Sequence, residues 1–388
     1  MRFRIWNRLL RDGRALAGMV FVFIVTVIAL GGAYLRPDST VNANQQDLSL
    51  ARLGPGEVVQ VLKVPIENES KPSLPAQGLL FGGLSLENRS IPFDRYRFSE
   101  DSILIYWKGE VREGMLLVEA MHDVQPDSYR KDGDRFVFSI RDGQSMNLTL
   151  AELRDRMRNE CIGEKRFILG TDSFGRDMLS RLMGGAIISL SVGFISVLIS
   201  LVIGIPLGAM AGYFGGRWDA IIMWFINVIW SIPTLLMVIA ITLVLGKGFV
   251  QVFIAVGLTM WVEVARIVRG QFIALRELPF VQAARSMGFS DARIMLKHLL
   301  PNAIGPVIVI SAANFASAIL IEAGLSFLGI GTQIPMPSWG TMIKEHYAYI
   351  TTDLAYLAIL PGLCITALVL SFMLIGNSLR EAFDVRSA

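Results

Sequence analysis

The chain has 388 residues, of which 53% are hydrophobic and 18% charged, and a mean hydropathy of +0.51. Soluble domains carry about 25% charged residues, so an ordinary soluble globule is excluded and an integral membrane protein with one more polar region is expected. The net charge of +3 is too small to point to a polyanion, and no nucleic-acid partner is expected.

Six apolar runs are long enough to cross a bilayer, which takes about 20 helical residues. The first, 15–35, follows Arg2, Arg4, Arg8, Arg11 and Arg14. Its apolar part is longer than the roughly 7–15 residues of a signal-peptide core, so it reads as an uncleaved first span. The polar stretch 37–165 then carries strand-like runs at 102–107 (SILIYW), 114–121 (GMLLVEAM) and 135–140 (RFVFSI) between Gly, Asp and Pro clusters. A helix is predicted over 148–160, with Thr149 as its N-cap. Together these make a small α+β domain inserted between the first two spans. Cys161 and Cys364 read as unpaired thiols. His122, His298 and His346 lie too far apart to give metal-ligand spacing, so no metal is expected.

Before the second run stand Asp172, Gly175, Arg176 and Asp177. Arg176 follows Asp172 by four, a spacing at which the two pair on a helix. The next runs are 186–212, then 220–245 with a kink predicted at Pro233, then 249–267, interrupted by Glu263. The last two are 303–329, interrupted by Glu322, and 354–377. Ionisable groups at membrane depth are expensive and often functional. Glu263 and Glu322 are therefore either solute contacts or structural, and Arg266 shares a helical face with Glu263. Asn227, Ser231 and Asn314 either line a polar path or hydrogen-bond between helices. Short loops set orientation through their Lys and Arg content. Segment 266–297 holds Arg266, Arg269, Arg276, Arg285, Arg293 and Lys297, and the C-terminal tail holds Arg380 and Arg386. The opposite loops hold Lys247 and Lys344, so both termini are expected in the cytoplasm and the inserted domain outside.

Between the fourth and fifth spans runs QAARSMGFSDARIMLKHLLPN, Gln282 to Asn302. Pro279 suits a helix start. Gly288 can take the positive φ that ends a helix, and Ser290 can N-cap a second helix with Asp291 in its first turn. Pro301 is expected to begin the fifth span. The product is a helix–Gly–helix hairpin whose small residues, Ala283 and Ala284, permit close approach of another surface. It is either a lever joining two spans or an amphipathic loop resting among lipid headgroups.

This stretch resembles the EAA loop of the permease subunits of bacterial ABC importers. Ala283, Ala284, Gly288, Leu300 and Pro301 fall at the family's spacing. Gln282 stands where the family has Glu, and His298 where many members have Ile. The ending from His298 to Asn302 looks like the dipeptide/oligopeptide/nickel branch. So does LGTDSFGRDMLSRLMGGAIISLSVG at 169–193, which resembles that branch's C-type permeases. ARIVRGQ (265–271), IEAGLSFLGIG (321–331) and PSWG (337–340) are similar to family segments too. Stretch 40–160 has no counterpart in the resemblance.

The resemblance implies an all-α membrane protein of the type I importer permease fold, in a bacterial inner membrane. It implies 1–36 as cytoplasmic N-terminus and first span, 37–165 as inserted domain, and 166–388 as permease core with the coupling loop at 277–301. Such a subunit is no enzyme. ATP and Mg sit on two separate ATPase subunits, in keeping with the lack of a G-x-x-x-x-G-K-[ST] loop here. A homologous B-type permease and an extracytoplasmic solute-binding protein complete the implied assembly. Gln282, Ala283, Ala284, Arg285, Gly288, Arg293, Leu300 and Pro301 become the implied ATPase-coupling residues. Asp172, Gly175, Arg176 and Asp177 are read as an interfacial helix that shapes the outer gate, with a direct contact to the binding protein as the alternative. Two other classes stay open on residues alone: a self-sufficient secondary transporter with midplane ion ligands, or a membrane sensor or scaffold using the outer domain.

Overall fold

The computed structural model describes residues 9–66, 83, 88–122, 124, 129–140, 144–246, 248–333 and 335–384. Arg2, Arg4, Arg8, Lys247 and Arg386, which entered the orientation argument, lie outside the described residues. The chain divides into two compact units, Gly31–Arg181 and the remainder.

In the remainder, α1 (Gly13–Gly31) is the first apolar helix. Among the described residues of Gly31–Arg181, nine strands form three antiparallel three-stranded sheets. β1 (Val58–Pro65) lies between β2 (Asn88–Phe93) and β9 (Ile162–Arg166). β3 (Arg95–Ser99), β4 (Ser102–Trp107) and β5 (Glu110–Leu116) form the second sheet. β6 (Arg130–Asp132), β7 (Arg135–Ser139) and β8 (Ser145–Thr149) form the third. Leu62, Ile91, Ile105, Leu117, Phe136 and Phe138 meet in one core. The expected strand 114–121 is half right. It leaves the sheet after Leu116, and α2 (Leu117–Met121) begins. Leu117, Val118, Ala120 and Met121 are buried, a spacing of one, three and four that one helical face satisfies and a strand does not. Thr149 caps α3 (Leu150–Arg156) in a reciprocal capping box with Glu152, as its spacing predicts.

The membrane unit holds α4 (Met178–Phe214), α5 (Gly216–Trp230), α6 (Thr234–Leu245) and α7 (Phe249–Arg276). It continues with α8 (Pro279–Ser286), α9 (Asp291–Phe327), α10 (Trp339–His346) and α11 (Tyr356–Asp384). Among the described residues, five helices are long and apolar enough to cross a membrane. A sixth span forms if α5 and α6, bent by 90° at a short break, are one broken span. Pro233 explains the break: it has no N–H, and it pushes Ile232 out of helical backbone. It then opens α6, its carbonyl accepting from the Met237 N–H at 3.1 Å.

Glycine at every fourth position holds α4 against α7. A Cβ on Gly204 or Gly212 would fall within 2.7 Å of the carbonyl oxygens of Trp261 or Arg269, and one on Gly208 closer still to that of Ala265. Both sets advance by four in the same direction, so the helices run parallel. Such small-residue stripes let membrane helices pack backbone to backbone, which drives association where lipid removes the hydrophobic incentive.

Candidate functional site

The loop between α7 and α9 is the hairpin its sequence predicts. Pro279 occupies the first turn of α8, where its missing N–H costs nothing. Gly288 has φ +73°. The Gly288 N–H donates to Arg285 O at 2.9 Å and the Phe289 N–H to Ala284 O at 3.2 Å, which together make a Schellman stop. Asp291 then starts a helix that runs unbroken to Phe327.

Three details differ from expectation. Ser290 has the extended backbone of an N-cap, but its side chain makes no capping bond. Pro301 stands in the first turn of the regular α-helical part of the span, Leu300–Phe327, as expected, but a helical lead-in from Asp291 precedes it. The helix absorbs it through a π-helical segment, Ile294–Leu299, just ahead of it. Wider turns of this kind relieve the clash and lost bond that a proline brings. The Asn302 side-chain amide donates to the His298 carbonyl at 2.7 Å there. Third, Ala283 and Ala284 do not share a face. Ala284 is buried with Val281, Ile294 and Leu299 against Val264, Val268 and Phe272, whereas Ala283 is exposed.

The inner side of the hairpin is fastened to the spans. The Tyr213 hydroxyl, at the end of α4, donates to the Asp291 carboxylate at 2.5 Å, and the Arg285 guanidinium lies 5.1 Å from the Tyr213 ring centroid. Arg293 sits 4.1 Å over Phe289. Arg276 donates to the Gly212 carbonyl at 3.0 Å, a cation meeting the last carbonyls of α4. Arg269 grips Asp219 of α5 with two bonds, 2.5 and 2.7 Å. Sequence reading counted these arginines as orientation signals and missed the pairings, because Asp219 lies fifty residues away. The outer side stays bare. Phe280 (40% exposed), Met287 (64%) and Leu296 (64%) surround exposed Gln282 and Ala283. Among the described residues, the Gln282 amide bonds the Glu277 carbonyl alone, at 3.3 Å. Leu300 is half-buried and Pro301 exposed.

Glu322 is buried and bonded within the helix bundle. It is 1% exposed and accepts from the Ser326 hydroxyl at 2.6 Å. That hydroxyl in turn receives the Thr332 N–H, at 3.3 Å. Nearby, Ser338 and Thr341 close a capping box on α10. Glu263 differs: it is exposed and lines a cavity of about 340 Å3 with Trp230, Met237, Thr259 and Ser317, beside the break in the third span. Arg266 does not join it there, its guanidinium lying 3.6 Å from the Trp230 ring centroid. Asn227 and Ser231 are exposed on and just after α5, and Asn314 is buried in α9 with no bond to its amide nitrogen among the described residues. These three do not gather with Glu263 around one cavity.

Asp172 and Arg176 pair as expected, at 2.6 Å, but in a tight loop rather than on a helix. An antiparallel bridge joins Thr171 to Asp177, and Gly175 turns the chain at φ +73°. Asp172 Oδ1 accepts the N–H groups of Phe174 and Arg176, so a four-residue spacing served an Asx-type turn instead. Asp177 then caps the start of α4, its carboxylate accepting from the Ser180 N–H at 2.7 Å. Burial pushes the Asp177 carboxyl above its usual range, against the opposing pull of the Ser180 bonds.

A bundle of long apolar helices, a proline break between α5 and α6 and a surface hairpin pinned at its root make a multi-pass membrane protein. The model of the binding-protein-dependent transport system inner membrane component matches residues 204–387. The glutathione transport system permease protein GsiD of Pectobacterium atrosepticum is 40% identical over 216 residues, 56% of this chain and 71% of that protein. The dipeptide transport system permease protein DppC of Alkalihalophilus pseudofirmus is also 40% identical, over 55% of this chain and 70% of its own. The oligopeptide transport system permease protein OppC of Bacillus subtilis is 39% identical, with the same shares. The chain belongs to the family of binding-protein-dependent transport permeases of the inner membrane.

Proposed function

We propose that the chain forms one half of the translocation pathway of an ATP-driven importer for peptides or related small solutes. The other half is a homologous B-type permease. Two ATPase subunits bind ATP and Mg beneath the pair, an extracytoplasmic binding protein delivers the solute, and this subunit performs no covalent chemistry. Both termini face the cytoplasm, 37–165 is the outer inserted domain, and 166–388 is the permease core with its coupling loop at 277–301. The names of its relatives support the solute class.

One observation carries the coupling step: the hairpin is buried on one side and bare on the other. Its inner side joins α4, α7 and α9, so force on Phe280, Ala283, Met287 and Leu296 reaches three spans at once. Gln282 flanks that apolar patch and offers hydrogen bonds to a groove, Arg285 braces the hairpin against Tyr213, and Gly288 sets the angle of the two arms. ATP then shifts the permease between inward-open and outward-open states by favouring one of them. Glu263, beside the broken span, is the side chain best placed to meet the solute's cationic end.

The test is co-purification from native membranes. ATPase subunits should come with the wild-type chain and be largely lost with Met287→Asp, which puts a charge in the bare patch. Recovery of no ATPase with the wild-type chain, or full recovery with Met287→Asp, would overturn the coupling reading.

A further inference from the structure

The Gly31–Arg181 unit contains a cavity that the transport pathway does not explain. It has a volume of about 530 Å3, within the range of small-molecule sites, roughly 300–1,000 Å3. Its walls come from β1, β2, β5 and β9, from the 38–50 segment, and from Gly175 and Asp177 of the loop ahead of α4. We propose that this cavity binds a small zwitterion of amino-acid to dipeptide size.

The lining has three carboxylates, Asp38, Asp47 and Asp177, and three cations, Arg89, Arg112 and Lys165. It is neutral overall, which disfavours a ligand of strong net charge of either sign. Two acids and one base are already committed to the wall. Arg112 clamps Asp47 with bonds of 2.9 and 2.7 Å. Asp47 also caps the turn Leu48–Leu50, and the absence of a Cβ at Gly175 lets the second loop touch the Asp47 carbonyl. Asp38, 2% exposed, accepts the Thr40 and Gln45 N–H groups.

What remains on the lining is Lys165 and Arg89 on the basic side and Asp177 on the acidic side, with Lys165 close enough to act on the Asp177 charge. The Lys165 ammonium has three donors and, among the described residues, uses one, toward Gln45 Oε1 at 3.2 Å, while lying 5.4 Å from the Phe167 ring centroid. Arg89 reaches Glu113 at 3.6 Å with its side chain 60% exposed. On the acidic side, both bonds to Asp177 from Ser180 fall on Oδ2, leaving Oδ1 as an acceptor. A carboxylate would bind at Lys165, with Arg89 near, and an ammonium at Asp177. A buried ionic end left without its partner is costly, so a molecule carrying both ends is selected over one carrying either.

The probe is L-alanyl-L-alanine, titrated by calorimetry into the full chain in lipid nanodiscs, with its N-acetylated and C-amidated forms as controls. The free dipeptide should bind saturably, and each capped form should bind at least about tenfold more weakly, as expected for losing one charged hydrogen bond. Lys165→Gln and Gln45→Ala should weaken the dipeptide by about the same factor without changing yield or elution volume. No saturable heat up to about 10 mM, equal binding of capped and free forms, or binding untouched by Lys165→Gln would each overturn the proposal. Binding lost with Glu263→Gln but kept with Lys165→Gln would move the site to the membrane pathway and overturn it as well. None of these results bears on whether the chain recruits ATPases.

Discussion

At the scale of single residues, two positions make claims that motif matching does not. Gly208 has no room for a side chain, because the Ala265 backbone and the Val268 side chain occupy the space. Gly208→Val should force α4 and α7 apart and cost about 1–3 kcal/mol, as overpacking does, read as a lowered Tm in detergent. Gly270→Ala, where nothing lies within 4 Å, should leave Tm unchanged or raise it. His122, in the Gly31–Arg181 unit, packs 5.5 Å from Phe138 by ring centroids. Burial, with Arg156 nearby, holds its pKa below the ordinary histidine value. The folded state thus favours neutral imidazole, and its contribution is complete above the unfolded pKa of about 6.5 and lost as pH falls below it. Thermal stability should drop from pH 7 to pH 5, and His122→Phe should flatten that drop. An equal drop in His122→Phe would show that other groups cause it.

At the scale of elements, the reading of the hairpin divides into what local chemistry decides and what packing decides. Pro279, Gly288 and Thr149 were legible because each rule involves residues within one turn. The distribution of Ala283 and Ala284 was not, because the face a helix buries depends on neighbours far off in sequence, here Val264 and Phe272 on α7. The four-residue spacing of Asp172 and Arg176 fits a helix and an Asx turn equally well, and Gly175 decided for the turn. The broken third span was visible in Pro233, but not its 90° angle. The Schellman stop leads to a prediction. Gly288→Val forces a β-branched residue to φ +73°, a region costing L residues roughly 1–2 kcal/mol. The two arms should reorient, and ATPase recovery from membranes should fall several-fold while the amount of inserted permease stays level. Tyr213→Phe, which removes the bond to Asp291, should give a milder loss of the same kind. Unchanged recovery in Gly288→Val would mean that the bend does not set the docking angle.

At the scale of the whole molecule, the charge distribution supports the proposed orientation, and a consequence can be measured. The hairpin carries Arg276, Arg285, Arg293 and Lys297, and positive loops stay on the cytoplasmic side. The parallel course of α4 and α7 agrees with this, since exactly one span must then lie between them. The α5–α6 pair supplies it only by counting as one span despite its break. Were that pair a re-entrant loop instead, α4 and α7 would have to cross in opposite directions, against the matched advance of Gly204, Gly208 and Gly212 along Trp261, Ala265 and Arg269. Single cysteines on a Cys161→Ser, Cys364→Ser background separate the cases. Glu110→Cys, on exposed β5 of the outer unit, should react with a membrane-impermeant maleimide in intact spheroplasts. Met287→Cys, on the bare face of the hairpin, should react only after the membrane is opened. Labelling of both from outside would remove the third crossing, and labelling in the reverse order would invert the protein and detach the hairpin from any cytoplasmic ATPase.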